Sequence, residues 1–338
     1  MKRIRNLTQS EELLRAANAP LLTTHVGPDG DAVGSLLGLG WGLRSLNKVP
    51  ILACEDPLPH HLDFLPGFGD VIEGSISTTF DLLVILDCSD PDRIGSVVPP
   101  EKRGTVPILN IDHHVTNLAF GQVNLVDTEA TSTTHILYHL IQHLNVPIDE
   151  QIATCLLTGL VTDTRGFRTA NVTPEVLHIA TELMEAGAPL TTITRNGLDR
   201  RPLAVLQLWG IGLERLQIKD GLVWTSLPLE MQQAFNAEGV NATGLSSALV
   251  SAEEASVSAV FTELADGKIE VGFRAIPGYD VARVALALGG GGHALAAGCL
   301  VPGPLAAAEQ RVIGMLREDL ARQREEFTND DRRHPQSQ

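Results

Sequence analysis

The sequence predicts an α/β protein, with a doubly wound, mainly parallel sheet in the first half and a smaller α+β domain across a cleft. Two observations predict this class. In the first half, short uninterrupted apolar runs alternate with helical segments, as in strands that a parallel sheet buries on both faces. In the second half, strand-like segments are joined by turn residues and followed by helices, which is typical of a separate α+β domain.

Four apolar runs in the first half are predicted as strands. The third is the clearest, because its five consecutive apolar residues lie between two aspartates. Continuous runs of this length favour strands buried on both faces over strands with one face in water. The four predicted strands are Pro20–Thr24, Pro50–Cys54, Asp81–Leu86 and Val106–Ile111.

Helices separate and follow these strands. The first predicted helix carries small residues, Ala32, Gly34, Ser35 and Gly38, which would let it pack closely against a neighbour. Strands that alternate with helices indicate a doubly wound sheet. The predicted helices of this half are Asp31–Leu46, Glu129–Leu144, Asp149–Val161 and Pro174–Ala186.

The pattern changes near residues 191–217. A polar stretch, Thr191–Arg201, is followed by a helical one, Leu203–Leu216, and this region is predicted as the linker. Beyond it, the turn pair Asp266-Gly267 separates two strand-like runs. The predicted strands are Gly221–Ser226, Ala255–Leu264 and Lys268–Arg274, and the predicted helices are Asp280–Leu288 and Pro304–Arg324.

Length and pattern together define the predicted domains. A chain of 338 residues suggests two domains at roughly 100–200 residues each. We expect a catalytic domain over residues 1–190, a linker over 191–217 and a second domain over 218–325. Residues 326–338 are polar and lack periodicity, so they are predicted to be a disordered tail.

Charge and cysteine content exclude several classes of protein. The net charge of −16 argues against binding of long duplex nucleic acid, which needs a broad basic surface. The four cysteines form no CxxC pair, so we expect buried, reduced thiols in a cytoplasmic protein. No signal peptide and no apolar run of about 18 residues is present, so no membrane partner is expected.

Acidic and histidine residues stand at unusual places in four distant segments. The segments are His25–Asp31, which follows the first strand, Asp87, Asp112–His114, and Asp163 at the end of an apolar helix. Three of the four follow predicted strands, and open α/β sheets bind ligands beyond the carboxyl ends of their strands. The sequence therefore predicts that these side chains meet at one edge of the sheet.

This convergence indicates a metal site. Carboxylates gathered together repel one another, and divalent cations remove that repulsion. Imidazole and carboxylate without thiolate suit Mn²⁺, Mg²⁺, Fe²⁺ or Co²⁺. Taken singly, each motif has an ordinary explanation: Asp29-Gly30 as a turn, or Asp31 as a helix cap. The agreement of four segments on one location favours the metal site.

The same four segments resemble the motifs of the DHH phosphoesterase family, which is named for the triplet Asp112-His113-His114. The glycine-rich string Gly289–Gly298, GGGGHALAAG, looks like the signature of its DHHA1 partner domain. The resemblance covers about residues 8–325. Length and spacing are most similar to the stand-alone bacterial branch of oligoribonucleases (nanoRNases) and pAp phosphatases, which is close to the cyclic-dinucleotide phosphodiesterases.

The resemblance implies a role for each residue. Asp87, Asp112 and His114 are implied as catalytic, with Asp87 bridging two metals, Asp112 orienting the imidazoles and His114 facing the scissile phosphate. Two divalent ions are implied, most often Mn²⁺, with Mg²⁺ or Co²⁺ as alternatives. The implied metal ligands are His25, Asp29, Asp31, Asp87, His113 and Asp163, and the implied substrate-binding residues are Arg274, Gly289, Gly290, Gly291, Gly292 and His293.

The implied activity is hydrolysis of short RNA to mononucleotides, and of adenosine 3′,5′-bisphosphate (pAp) to AMP, by attack of metal-activated hydroxide. A cyclic di-AMP or pApA phosphodiesterase would use the same site and stays an alternative. A catalytically dead nucleotide sensor would be expected to have a broken ligand, and none is found. The sequence leaves open a homodimer.

Two further classes are disfavoured. A family II pyrophosphatase would share the first domain but lack the GGGGH string. A dinucleotide-binding oxidoreductase would need GxGxxG after the first strand, whereas the glycines of Gly38–Gly42 lie within the first predicted helix. The chain departs from the family pattern at Gly27, Ala275 and Arg165, where Asn, Ser and a small residue are common. These departures bear on substrate preference.

Overall fold

The fold is given by a computed structural model, which describes residues 6–237, 239–240, 242 and 244–333. The chain divides into two compact units, Met1–Arg200 and Arg201–Gln338. Each unit contains a six-stranded sheet. No helix in the described part of the chain is both long and apolar enough to cross a membrane.

The sheet of the first unit is parallel throughout. Its strand order is β3-β2-β1-β4-β5-β6, and every neighbouring pair runs in the same direction. The order reverses between β1 and β4, as in doubly wound folds. The strands are β1 Pro20–Thr23, β2 Ile51–Cys54, β3 Ile72–Glu73, β4 Leu82–Leu86, β5 Ile108–Asp112 and β6 Val123–Val126.

Consecutive residues of the central strands belong to different hydrophobic cores. Leu22 and Val84 lie in the large core shared with the helices, while Leu21 and Leu83 lie in a smaller core on the other face. Both faces of the sheet are therefore covered, and this explains why the strands are uninterrupted apolar runs rather than alternating ones. The predicted fold class is confirmed for this unit.

Several helices of the first unit begin at polar caps. Ser132, Asp149 and Thr173 each accept a backbone N–H from the first turn of the helix that follows, which stabilises the helix start. The helices are α1 Leu7–Ala16, α2 Gly30–Ser45, α3 Pro100–Arg103, α4 Thr133–His143, α5 Glu150–Asp163, α6 Pro174–Glu185 and α7 Leu190–Thr194, followed by a π-helical turn at Arg195–Asp199.

Helices α2 and α5 pack at unusually close range. A Cβ atom on Gly34 would lie 2.5 Å from the backbone oxygen of Cys155, and one on Gly38 would lie 3.0 Å from Leu156. The small residues predicted to permit close packing therefore do so against α5. All four cysteines are buried and unpaired, as expected.

The second unit has a mixed sheet with the order β11-β12-β10-β9-β8-β7. Its strands pair antiparallel except β8 and β9, which are parallel. The strands are β7 Gln217–Lys219, β8 Leu222–Leu227, β9 Val257–Glu263, β10 Lys268–Ala275, β11 Gly291–His293 and β12 Ala296–Pro302. The helices are α8 Leu203–Glu214, α9 Leu229–Ala234, α10 Leu245–Leu249, α11 Ala282–Ala287 and α12 Leu305–Arg333.

The structure differs from the sequence-based expectation at the end of the chain. The disordered tail was predicted over residues 326–338, but α12 continues to Arg333. Neither Gly nor Pro interrupts the sequence between Gly314 and Pro335, so helix elongation from the packed part of α12 has no local barrier. The rest of the predicted tail, residues 334–338, lies outside the described residues.

The close packing of α2 against α5 yields a stability prediction. Gly34→Ala should destabilise the protein by about 1–3 kcal/mol, because the new methyl group would overlap a backbone oxygen. Gly42→Ala on the same helix is the control, since its Cβ would meet Ile141 at an ordinary 3.5 Å and Ala favours helix by about 1 kcal/mol. The two variants are compared by the midpoints of their urea unfolding curves. Equal midpoints for the two variants would contradict this packing.

Candidate active site

The candidate site of the first unit lies at the carboxyl edge of its sheet, where the strand order reverses. Strands β1, β4 and β5 are neighbours, and each ends at one of the segments singled out in the sequence. His25 follows β1, Asp87 follows β4 directly, and Asp112 is the last residue of β5. The topology therefore brings residues that are distant in sequence to one crevice.

The other aspartates of the site lie at the ends of two helices. Asp29 caps α2, where its carboxylate accepts the backbone N–H groups of Asp31 and Ala32 at 3.0 and 3.1 Å. Asp31 is in the first turn of α2, and Asp163 is the last residue of α5. Because α2 and α5 pack together, both carboxylates reach the edge where the strands end.

Asp87 lies at the centre of the cluster. Its backbone is left-handed, with φ +54°, a conformation that Asp tolerates better than most residues. Its carboxylate oxygens lie 3.7 Å from Nε2 of His25, 3.6 Å from Nε2 of His113 and 3.7 Å from Nδ1 of His114. The hydroxyl of Thr133 donates to it at 2.9 Å. One carboxylate thus faces three imidazoles.

The side chains form three overlapping groups. Within each group, the potential ligand atoms all lie within 4.8 Å of one another. Nε2 of His113 is 3.4 Å from Asp163 and 4.0 Å from Asp31. The structure thus places all six predicted metal ligands in these groups, with Asp87 in two of them. The groups are His25, Asp29 and Asp87; Asp31, His113 and Asp163; and Asp87, His113 and His114.

These distances fit a metal better than direct hydrogen bonding. Separations of 3.4–4.0 Å between nitrogen and oxygen exceed hydrogen-bond lengths. Neighbouring ligands of one ion, each bound at about 2.1 Å, would be about 3–3.5 Å apart. Nδ1 of His25 lies 2.9 Å from the carbonyl oxygen of Val26, and an N–H donated there leaves Nε2 available as a ligand.

Asp31 is held by the start of α4. Its carboxylate is buried and accepts the N–H groups of Thr133 and Thr134 at 2.6 and 3.0 Å, and the Thr134 hydroxyl at 2.8 Å. A Cβ on Gly159 would overlap both Asp31 and Thr134. The three supporting residues Thr133, Thr134 and Gly159 were not predicted from the sequence. A polar run at the start of α4, residues 131–134, is a local signal for the two threonines.

Asp112 orients His114 from a fully buried position. One of its oxygens lies 2.7 Å from Nδ1 of His114, and the other accepts the side-chain amide of Asn117 at 2.5 Å. Asn117 also donates to the Asn110 side chain at 2.8 Å. The hydrogen bond that Nδ1 of His114 donates to Asp112 raises the pKa of His114 to about 9. His114 is thereby favoured in its cationic form and fixed in one orientation.

The protein alone does not neutralise the acids of this cluster. Burial and the charges of Asp87 and Asp163 raise the pKa of Asp31 well above its ordinary value. Burial and the charge of Asp87 raise the pKa of Asp163 to about 7, although Arg165 partly opposes this shift. For Asp87, burial is outweighed by the neighbouring imidazoles of His25, His113 and His114, which lower its pKa. Divalent cations would satisfy this donor set.

The substrate-binding residues predicted in the second half lie in the second unit. Arg274 on β10 and His293 on β11 each pair directly with Ala296 on β12. Directly paired residues project from the same face of a sheet, so Arg274 and His293 flank a small alanine, roughly two strand spacings or about 10 Å apart. This row offers two cationic or donor side chains on one face.

Most glycines in the run before His293 are required by the local backbone structure. Gly289 has φ +79°, and a Cβ on Gly290 or Gly292 would overlap β12. The N–H groups of Gly289 and Gly290 donate to Leu286 and Ala285, where they cap α11. Within the run, only Gly291 has neither a positive φ nor a neighbour within 4 Å of its Cβ position.

The raised pKa of Asp163 predicts a pH effect on protein kept metal-free with a chelator. The stability that protonation of Asp163 provides is complete below about pH 4 and is lost as pH rises towards 7. Asp163→Asn removes this repulsion. At pH 8 the chelated variant should be more stable by about 1–2 kcal/mol after solvent screening, or ~3–6 °C in Tm.

Thermal melts between pH 4 and pH 8 measure this difference, which should disappear near pH 4. Asp63→Asn, at an exposed position, is the control and should match the wild type throughout. With saturating Mn²⁺ the order should reverse, because the wild type gains stability from the bound ion. A chelated Asp163→Asn protein that melts below the wild type at pH 8 would contradict the electrostatic account.

Comparison with known proteins identifies the family. The DHH family N-terminal domain matches residues 21–160, and the DHHA1 domain matches residues 229–321. The bifunctional oligoribonuclease and PAP phosphatase NrnA of Thermus thermophilus is 37% identical over 316 residues, which is 92% of this chain and 93% of the relative. The protein of the same name from Bacillus subtilis is 27% identical over 83% of this chain and 88% of its own.

Solved structures show the same fold. An exopolyphosphatase-related protein from Bacteroides fragilis superposes with a TM-score of 0.86 at 24% identity, covering 94% of this chain and 96% of its own. Both domain matches, and a relative that matches nearly the whole chain, therefore identify the family. This chain belongs to the DHH family and carries a DHHA1 domain.

Proposed function

We propose that this protein is a metal-dependent phosphoesterase that hydrolyses short oligoribonucleotides to mononucleotides and adenosine 3′,5′-bisphosphate to AMP. The observation that carries the proposal is the cluster of six His and Asp side chains at the strand-order reversal, with Asp87 shared between two groups. The names of the Thermus and Bacillus relatives, which are oligoribonucleases and PAP phosphatases, support these two substrates.

The donor set suits two divalent ions, and we assign Mn²⁺ as the preferred one. His25 and Asp29 would hold one ion, Asp31, His113 and Asp163 the other, and Asp87 both. Ions bound there supply a hydroxide nucleophile at neutral pH and offset charge on the phosphoryl oxygens.

The protein supports this chemistry by fixing its own groups in advance. The hydrogen bond that Nδ1 of His114 donates to Asp112 holds the ring in place, so that the cationic ring can donate to a phosphoryl oxygen as charge develops. Thr133 and Thr134 hold the carboxylates of Asp87 and Asp31. Preorganised donors of this kind avoid the cost of reorganisation during the reaction.

The second unit would bind substrate. Arg274 and His293 lie on one face of its sheet on either side of Ala296, and Arg can bind a phosphate through two parallel hydrogen bonds. A net charge of −16 disfavours a long nucleic-acid backbone. We therefore infer short substrates and no binding of long duplexes.

A substrate panel tests the proposal. Purified protein with Mn²⁺ is offered pApA, a 5-mer RNA, adenosine 3′,5′-bisphosphate, cyclic di-AMP and long single-stranded DNA, and kcat/KM is ranked. We expect the highest kcat/KM values for pApA, the 5-mer RNA and adenosine 3′,5′-bisphosphate. Activity per bond should fall as the RNA becomes longer. A clear preference for cyclic di-AMP would favour the phosphodiesterase alternative, and a protein inactive on the whole panel would refute the proposal.

Asp87→Ala is the internal control for the panel. Because Asp87 belongs to two of the ligand groups, its loss should abolish turnover on every substrate and lower bound Mn²⁺ below two per chain. Metal content is measured by mass spectrometry. A fully active Asp87→Ala protein would rule out the two-metal site as assigned.

We expect the first unit to bind the metals and the second unit to bind substrate. Arg274→Ala should lower kcat/KM on pApA by about 30-fold or more, because a phosphate left poorly paired costs roughly 2–5 kcal/mol and each ~1.4 kcal/mol is tenfold. Bound Mn²⁺ should not change. Lys268→Ala, at the opposite end of β10, is the matched control and should stay within about twofold. Loss of metal in Arg274→Ala would show that the units do not divide the work in this way.

A further inference from the structure

The chain makes an unusual turn directly after α5. Arg165, Gly166 and Phe167 all have left-handed backbones, with φ values of +51°, +73° and +64°. Two of the three are not glycine, and a left-handed backbone is strained for such residues. Strain of this kind persists only where the surrounding structure enforces it, and it clusters at functional sites.

Hydrogen bonds within the turn hold this backbone. The N–H of Gly166 donates to Val161 at 2.8 Å, and the N–H of Phe167 donates to the Thr164 hydroxyl at 2.9 Å. Nε of Arg168 donates to the carbonyl oxygen of Arg165 at 2.7 Å. Arg165 is therefore presented by a fixed turn rather than by a flexible loop.

The position of Arg165 places a positive charge at the rim of the site. It is two residues along the chain from Asp163, and its charge acts on the Asp163 carboxylate. No other Lys or Arg is as close in sequence to a candidate metal ligand. Asp31 and Asp87 are buried, whereas Arg165 is exposed. A group at this place can meet a part of the substrate that extends beyond the metal cluster.

The charges of the site call for such a group. The four carboxylates of Asp29, Asp31, Asp87 and Asp163 would balance two divalent ions, and Asp112 pairs with His114. A substrate with a second phosphate brings negative charge that none of these groups matches. Guanidinium suits this task, because it is always charged and matches phosphate geometry.

We propose that Arg165 binds the non-scissile phosphate of a nucleotide substrate, and so selects substrates that carry a second phosphate. This inference rests on the proposed function, and it deepens that function by naming the chemical feature that the first unit recognises. The strained turn gives Arg165 its place, and the exposed guanidinium makes the contact.

The test compares two dinucleotides that differ only by a 5′-phosphate, pApA and ApA, with wild type and Arg165→Gly. Glycine adopts positive φ without steric strain, so this variant keeps the turn and relieves its strain. We expect kcat/KM on pApA to fall about tenfold, mainly through KM, while ApA changes by less than about twofold. Bound Mn²⁺ and the thermal midpoint should not fall.

Two further variants sharpen the test. Arg165→Lys keeps the charge without the planar fork and should lie between the wild type and Arg165→Gly on pApA. Lys102→Ala removes one positive charge from exposed α3, which precedes β5 and so lies towards the opposite edge of the sheet, and it should match the wild type.

The outcomes separate this inference from the function beneath it. Equal losses on pApA and ApA, or no loss on either, overturn the role of Arg165 while leaving the phosphoesterase activity in place. A fall in bound Mn²⁺ in Arg165→Gly also overturns it, because the turn would then serve the metal ligands. A wild-type protein that cleaves neither dinucleotide overturns this inference, and one that is also inactive on the rest of the substrate panel overturns the proposed function as well.

Discussion

Repulsion among aspartates gathered at one sheet edge is the constraint on which the rest of the site depends. Asp31 and Asp87 are almost fully buried, and burial raises the free energy of a charged carboxylate. The neighbouring features lower that cost. Asp31 accepts three hydrogen bonds from α4, and Asp87 faces three imidazoles. Cations complete the balance.

Sequence reasoning located this site because its acids stand in short motifs directly after apolar runs. A buried parallel strand can be predicted from its apolar composition. The residue that follows it is then expected at the carboxyl edge of the sheet, where ligands bind. The supporting residues could not be found in that way. Thr134, Gly159 and Asn117 are ordinary residues in ordinary sequence contexts, and their roles depend on which side chains the tertiary fold places beside them.

The same distinction applies to the fold. Strand β4 was predictable from five buried apolar residues, whereas β12 begins with Ala-Ala-Gly and β11 with two glycines, so neither has a strand-like composition. Pairing with β10, rather than local propensity, makes β12 a strand. The length of α12 was underestimated for a similar reason, since polar composition indicates disorder only where no packed helix precedes it.

The contact of Gly159 with Asp31 and Thr134 has an evolutionary consequence. A side chain at position 159 would need space that Thr134 occupies, yet Thr134 supplies two of the hydrogen bonds that Asp31 accepts. Substitutions at these three positions should therefore be strongly non-additive. A single substitution at any one of these positions would damage the site before a second substitution could compensate. During evolution, these three residues should therefore change only in certain orders.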